Sequence, residues 1–159
     1  MSHAELVARL GLLPHPEGGF YREIHRSEDV TPTARGPRSQ LTAIHFLLPA
    51  GTFSAWHAVS SEEVWVHTGG DAVRLHQLGP EGATTHVLAA SAADGPVTVV
   101  PSGRLQAAEA DVGPHGYALC ACMVAPGFDF ADFTMPDRAT LRRDWPDHEA
   151  LITRFTRER

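Results

Sequence analysis

Short runs of Val, Leu, Ile, Thr and aromatic residues fill the middle of the chain from Thr42 to Ala125, and Gly, Pro, Asp and Ser separate them. Runs of this length between turn residues are typical of β-strands. The predicted strands cover residues 42–48, 54–59, 63–68, 72–78, 84–90, 96–100, 105–110 and 116–125. Eight short strands at regular spacing indicate an all-β sandwich or barrel.

The pattern becomes helical at both ends of the chain. Ser2 and Glu5 form a capping-box pattern before an apolar stripe that stops at Gly11, which predicts a short N-terminal helix. Residues 137–145 and 147–157 return to helical spacing and predict a C-terminal helical cover.

The remaining long segment, residues 27–40, has the composition of a loop. It is either a plain surface loop or a lid or dimer arm. The sequence contains no internal repeat and no shift in composition. We therefore expect one domain over residues 1–159, with a barrel core at about 40–126 preceded by the N-terminal helix and arm at 2–39.

Composition and charge exclude several classes of function. The formal net charge is −6, and all 13 basic residues are Arg, so a Schiff-base lysine and a phosphate-loop lysine are both excluded. The Arg residues are scattered, and we expect no nucleic-acid partner. The sequence shows no secretion signal and no apolar run long enough to span a bilayer, so we expect a cytoplasmic protein with no membrane partner.

The two cysteines, Cys120 and Cys122, are alternate residues of a predicted strand. Their side chains point to one face, where a disulfide between them would be strained. We expect two buried thiols.

Two spaced patterns lie in the predicted strand region. The first runs Gly51, five residues, His57, one residue, Val59, three residues, Glu63, six residues and Gly70. The second runs Gly95, five residues, Pro101, one residue, Gly103, two residues and Gln106. These resemble the two motifs of the cupin superfamily, with Val59 and Gln106 in place of two metal-binding histidines.

Within cupins, the chain resembles a small group formerly called a domain of unknown function. Four stretches carry this resemblance: Leu13-Pro-His-Pro-Glu-Gly-Gly-Phe-Tyr-Arg-Glu23, Ser54-Ala-Trp-His57, Glu63-Val-Trp65 and Val124-Ala-Pro-Gly-Phe-Asp-Phe130. The resemblance implies a double-stranded β-helix, the cupin jelly-roll barrel, usually as a homodimer. It also implies a pocket for a small molecule and a shape related to that of sugar-nucleotide epimerases.

One hypothesis for the site is proton transfer without a metal. An interior His57 next to Glu63 forms a pair in which imidazole acts as a base near neutral pH and the carboxylate orients it. This chemistry suits an isomerase or epimerase acting on a small polar or anionic, sugar-like or keto metabolite. Arg22, next to Tyr21, is the candidate anchor for an anionic group, although it could instead form a salt bridge with Glu17 or Glu23.

Two alternatives stay open. The first is a metal-dependent oxygenase or lyase, in which His57, Glu63, Gln106 and an inward-turned His45 hold iron, nickel or zinc. The second is a binding module without catalysis. In each case Phe53 and Trp65 are candidate pocket walls, and His45 and Gln106 are candidate contacts to the ligand.

Overall fold

The chain folds mainly into antiparallel strands in the computed structural model, which describes residues 1–158. The strands are β1 Leu13–Pro14, β2 Phe20–Arg26, β3 Val30–Thr31, β4 Arg38–Ser39, β5 Thr42–Pro49, β6 Phe53–Val59, β7 Glu62–Gly70, β8 Val73–Gly79, β9 Gly82–Leu88, β10 Val97–Val100, β11 Leu105–Ala110, β12 Tyr117–Ala125 and β13 Phe133–Thr134. Each of the eight predicted strands is present, and the predicted all-β class is confirmed.

The strands form two large sheets. The first has the order β1-β2-β5-β12-β7-β10 and the second β13-β6-β11-β8-β9. Both sheets contribute to one apolar core, in which Phe46 and Trp65 from the first sheet pack with Val73, Leu75 and Ala108 from the second. Because alternate side chains of a strand point to opposite faces, each strand presents one row of side chains to the interior between the sheets.

Cys120 and Cys122 belong to this inner core as free, buried thiols, as predicted. Burial raises the pKa of Cys120 to about 12, so the thiol stays protonated at neutral pH.

Helices cover the outer faces of the barrel. They are α1 His3–Leu10, α2 Arg138–Asp144 and α3 Glu149–Arg154, with short 3₁₀ turns at Phe130–Asp132 and Pro146–His148. Ser2 and Glu5 form the predicted capping box, and Leu6 packs α1 onto the first sheet. Leu141 of α2 and Ile152 of α3 pack against Trp56 of the second sheet. Among the described residues, no helix has both the length and the apolar character needed to cross a membrane.

The arm at residues 27–40 is more ordered than a plain loop. Its strands β3 and β4 form a small antiparallel hairpin. Arg35 and Arg38 reach from this hairpin to the buried carboxylate of Asp132, with N···O distances of 2.9 to 3.1 Å, and Arg35 also donates to Ser61. The arm is therefore fixed to the 3₁₀ turn at Phe130–Asp132.

Replacing Asp132 with Ala should release the arm, because two guanidinium groups lose their shared acceptor. We expect limited proteolysis within residues 27–40 to be at least about tenfold faster than in the wild type. Glu28→Gln, an exposed change in the same arm, is the control and should leave the cleavage rate unchanged. An unchanged rate in Asp132→Ala would show that the arm is held by other contacts.

Candidate functional site

A cavity of about 430 Å³ lies inside the barrel and is bounded by strands of both sheets. This volume is in the range of pockets that bind small organic molecules. Its wall is strongly aromatic and comprises Tyr21, Phe46, Trp65, Phe128, Phe130 and Phe133. Ionisable side chains interrupt that wall, chiefly His15, Glu17, Glu23, Arg26, His57 and Glu63.

Glu17 reaches the cavity because of a tight turn between β1 and β2. The Gly18 N–H donates to the carbonyl oxygen of His15, and His15 N–H donates to the carbonyl oxygen of Gly19. A Cβ at Gly18 would lie 2.1 Å from the backbone oxygen of Phe53, and Gly18 has a φ of +111°. Only glycine fits so close an approach, and the turn places the Glu17 side chain in the interior.

His57, on β6, forms a buried ion pair with Glu17. Its Nε2 lies 2.8 Å from Glu17 Oε2, and its Nδ1 lies 2.8 Å from the carbonyl oxygen of Ala55. Both neighbours are acceptors, so both ring nitrogens carry hydrogen and the ring is an imidazolium.

The pKa values of the pair agree with this arrangement. Burial alone would lower the pKa of His57, but the attraction and hydrogen bond of Glu17 outweigh burial and raise the pKa to about 9. Burial alone would raise the pKa of Glu17, but His57 outweighs it and lowers that pKa below its ordinary value. At neutral pH the site therefore holds a carboxylate and an imidazolium in direct contact.

Glu63, on β7, lines the same cavity, but its protonation state differs from that of Glu17. Its Oε1 accepts a hydrogen bond of 3.1 Å from Trp65 Nε1, and within residues 1–158 no arginine forms a salt bridge with it. Burial raises the pKa of Glu63 to about 7, although the charge of His57 partly opposes the rise. Glu63 therefore exists in both protonation states near neutral pH.

Gln106, on β11, lies fully buried beneath this wall and does not line the cavity. It is the cross-strand neighbour of His57, and its Oε1 accepts a hydrogen bond of 2.9 Å from Trp65 Nε1. Trp65 Nε1 is thus shared between Glu63 and Gln106. The structure brings the motif residues 57, 63 and 106 together, but Gln106 acts on Trp65 and on Glu63, whose pKa rise its amide partly opposes, and it does not line the cavity.

Arg22 is not at the cavity, which corrects its predicted position. In β2, Tyr21 faces inward and Arg22 faces outward, where its Nη1 donates to the carbonyl oxygen of Leu10 at the end of α1. The arginine at the cavity is Arg26. A β-bulge between Glu23 and His25 changes the alternation of β2 and turns Arg26 to the face of Glu23.

Arg26 is already paired with a carboxylate. Its Nε and Nη2 donate to the two oxygens of Glu23 at 3.1 and 2.6 Å, and Nη2 also donates to the carbonyl oxygen of Phe128. A bidentate pair of this kind is geometrically specific. Arg26 is therefore poorly placed to serve as a free anchor for an anionic ligand.

His45 and Phe53 are also not at the cavity, and both predicted positions are corrected. Ile44 and Phe46 line the cavity, so His45 between them points to the opposite face of β5. Phe53 packs instead against Phe155, with ring centroids 5.7 Å apart, beneath the C-terminal helices.

Comparison with known proteins agrees with the fold. The family model described as "Cupin superfamily (DUF985)" matches residues 4–136. The chain belongs to this cupin family. No match is found among curated proteins.

Two solved structures resemble this cupin over the full length of both chains. A hypothetical protein from Leishmania major is 31% identical with a TM-score of 0.89, over 99% of this chain and 100% of that one. A protein from Shewanella oneidensis is 31% identical with a TM-score of 0.90, over 100% of this chain and 99% of that one. Oxalate decarboxylase from B. subtilis is 14% identical with a TM-score of 0.56, over 89% of this chain and 36% of that one, and shares the fold alone.

The residues at the cupin metal positions do not fit a metal ion. Val59 has no donor atom, both nitrogens of His57 are engaged, and Gln106 Oε1 accepts from Trp65. His45 points to the opposite face of its strand. Within residues 1–158, no cluster of three or more His, Cys, Asp or Glu side chains is arranged to hold a metal. A catalytic metal usually needs three protein ligands, and this site does not offer them.

Proposed function

We propose that this cupin is an isomerase or epimerase in which Glu63 transfers a proton to and from a carbon atom of a small carbonyl compound. One observation carries the proposal: two carboxyl groups line one cavity, and their surroundings move their pKa values in opposite directions. Glu17 is held as a carboxylate by His57, whereas Glu63 titrates at about 7. Such a divergence is typical of sites that perform acid–base chemistry at neutral pH.

The reaction needs only Glu63 as its proton carrier. The Glu63 carboxylate removes a proton from the carbon next to the carbonyl group, and the electron pair of that C–H bond moves to form an enolate. Protonated Glu63 then returns the proton to the same carbon, and it inverts that carbon when the enolate has turned its other face towards Glu63. In an α-hydroxy carbonyl compound, Glu63 can instead return the proton to the former carbonyl carbon, while the hydroxyl proton moves to the former carbonyl oxygen and the hydroxyl carbon becomes the new carbonyl group. Atoms and charge balance without an oxidant, a reductant or a metal.

This proposal gives His57 a different role from the predicted one of base. An imidazolium with both N–H groups donated has no lone pair to accept a proton. His57 instead supplies fixed positive charge that favours the ionised form of Glu63. Without it, burial would raise the pKa of Glu63 further and leave less base at neutral pH.

Hydrogen exchange provides the test. The protein is incubated in D₂O with a panel of small ketones, aldoses and keto acids, and deuterium at the carbon next to each carbonyl group is followed by NMR. We expect protein-dependent incorporation of deuterium in at least one compound. If no compound in a broad panel exchanges faster with the protein than with buffer, Glu63 does not act as proposed.

The metal-dependent alternative leads to a separate prediction. Because the cupin metal positions lack three free donors, protein purified without chelator should contain less than about 0.1 equivalent of iron, nickel or zinc per chain. Adding each metal should leave Tm unchanged, since a ligand that binds the folded state raises Tm. One equivalent of a single metal, or a Tm raised by that metal, would favour an oxygenase or lyase instead.

Homodimer formation also stays a prediction from the family resemblance. Light scattering of the purified protein measures it directly. A mass of about 17.2 kDa would indicate the monomer, and twice that mass would indicate the dimer.

A further inference from the structure

His15 lies at the cavity but has no role in the proton transfer described above. It occupies the turn that carries Glu17, and only 7% of its side chain is exposed. Aromatic rings surround it, with Tyr21 at 4.6 Å and Phe133 at 5.9 Å between centroids. Burying an unpaired N–H group costs free energy, so a buried imidazole such as that of His15 is expected to have a hydrogen-bonding role.

The hydrogen bonds of the turn fix the protonation state of His15. The backbone N–H of Glu17 donates to His15 Nδ1 at 3.2 Å, so Nδ1 is the acceptor and carries no hydrogen. The hydrogen of the neutral ring is therefore on Nε2. Burial also lowers the pKa of His15, because its effect and that of the His57 charge outweigh the opposing attraction of the Glu17 carboxylate, and this favours the neutral ring. Within residues 1–158, no hydrogen bond from the Nε2–H group to the protein is formed.

We propose that His15 donates a hydrogen bond from Nε2–H to the carbonyl oxygen of the ligand, and that this ligand is an uncharged carbonyl compound. The inference rests on the proposed function for its chemical setting and deepens it by naming the ligand class. As Glu63 removes the proton, negative charge grows on the carbonyl oxygen, and a neutral donor already in place stabilises that charge.

The charges around the cavity favour an uncharged ligand over the anionic one first expected. Arg26 is paired with Glu23, and His57 is paired with Glu17. His15 is neutral, so among the residues that the structure describes each cation in the cavity wall already has a carboxylate partner. A carboxylate or phosphate on the ligand would lie near Glu17 and Glu63, and no unpaired cation of this described wall would offset the repulsion.

Two substitutions of His15 separate its donor from its structural role. In His15→Asn, the amide oxygen takes the place of Nδ1 and accepts from the Glu17 N–H, but the Nε2–H group is lost. In His15→Gln, the longer side chain carries an amide N–H near the position of Nε2. The two variants therefore form a matched pair, and circular dichroism and Tm show whether each one folds.

The binding probes are ketones and hydrocarbons of the same shape. Acetophenone is compared with α-methylstyrene, and cyclohexanone with methylenecyclohexane, by NMR titration. We expect the wild type to bind the ketone of each pair about fivefold more tightly than the hydrocarbon. His15→Asn should lose this preference, and His15→Gln should keep part of it.

The tautomer of His15 and the carbonyl stretch of the bound ketone can each be measured by spectroscopy. In ¹⁵N NMR spectra of the wild type, Nδ1 of His15 should be unprotonated and Nε2 protonated. The carbonyl stretch of bound acetophenone should move to lower frequency in the wild type and return towards its free value in His15→Asn. Equal affinity for ketone and hydrocarbon in both pairs would overturn the inference, as would a ketone preference that survives in His15→Asn.

These outcomes are independent of proton transfer by Glu63. A ketone preference without any deuterium exchange would refute the proposed function and retain the inference about ligand class. Deuterium exchange without a ketone preference would refute the inference about ligand class and retain the proposed function.

Discussion

Replacing Glu63 with Gln is expected to reduce deuterium exchange by at least about 10³-fold, because the amide cannot accept the proton and general acid–base groups contribute about 10²–10⁴-fold. The same substitution should increase the free energy of unfolding at pH 8 by about 1–3 kcal/mol, since it removes a buried carboxylate whose ionised form is disfavoured. Exchange is measured by NMR and stability by urea denaturation. Loss of exchange together with a gain in stability would show that the Glu63 carboxyl group is needed for the reaction and destabilises the fold.

The pH dependence of the wild type follows from the same carboxyl group. Its pKa rises from 4.5 in the unfolded chain to about 7 in the folded protein, so the folded state binds more protons between these values. Stability from this group is therefore present below pH 4.5 and is lost as the pH rises through 7. Exchange activity should change in the opposite direction and rise towards a plateau above pH 7, because the ionised form is the base.

The adjacent residue provides the control. Glu62→Gln removes one negative charge from the same strand at an exposed position and should change neither exchange nor the pH profile. If Glu63→Gln retained most of the exchange activity, or lost stability at pH 8, then Glu63 would be an ordinary buried hydrogen-bonding group.

The barrel could be predicted from the sequence because its inner strands are continuous apolar runs. Segments such as Thr42–Pro49 and Tyr117–Ala125 lie within the sheets and contain little except apolar residues. Strand β2, Phe20–Arg26, was not predicted as a strand, because four of its seven residues are charged or histidine. These side chains are tolerated there because β2 lies near the edge of its sheet and is largely exposed.

The site was only partly predictable for a similar reason. The spacing of the two cupin motifs indicated that His57 and Glu63 share the interior, and both line the cavity. The partner of His57 is Glu17, which is 40 positions away in the chain and reaches it through a turn that depends on Gly18. The two consecutive glycines after Glu17 were the available signal for that turn. The bulge in β2 places Arg26 at the cavity in place of Arg22, and no comparable sequence signal indicates that bulge.

Removal of the His57 imidazole should have the largest effect on stability. His57→Ala leaves the Glu17 carboxylate buried without its counter-ion, and breaking a buried pair in this way typically costs about 3–5 kcal/mol. The change is measured as the free energy of unfolding in urea at pH 7. His25→Ala removes an exposed histidine from β2 and should leave that free energy nearly unchanged.

A double variant distinguishes the lost ion pair from the lost packing of the ring. Glu17→Gln combined with His57→Ala removes both charges and should be less destabilised than His57→Ala alone, because no unpaired carboxylate remains in the interior. If the double variant is no more stable than the single one, the cost comes from the cavity left by the ring.

The pH dependence of His57→Ala provides an independent test of the pair. In the wild type, His57 has a pKa raised from 6.5 to about 9, so its stabilising contribution is complete below pH 6.5 and is lost as the pH rises through 9. Glu17 has a lowered pKa, so its contribution is present above pH 4.5 and is lost as the pH falls through the folded-state value. The stability difference between wild type and variant should therefore be largest between about pH 5 and 8 and shrink on both sides. Loss of the imidazolium should also move the rise in exchange activity to higher pH, because His57 lowers the pKa of Glu63.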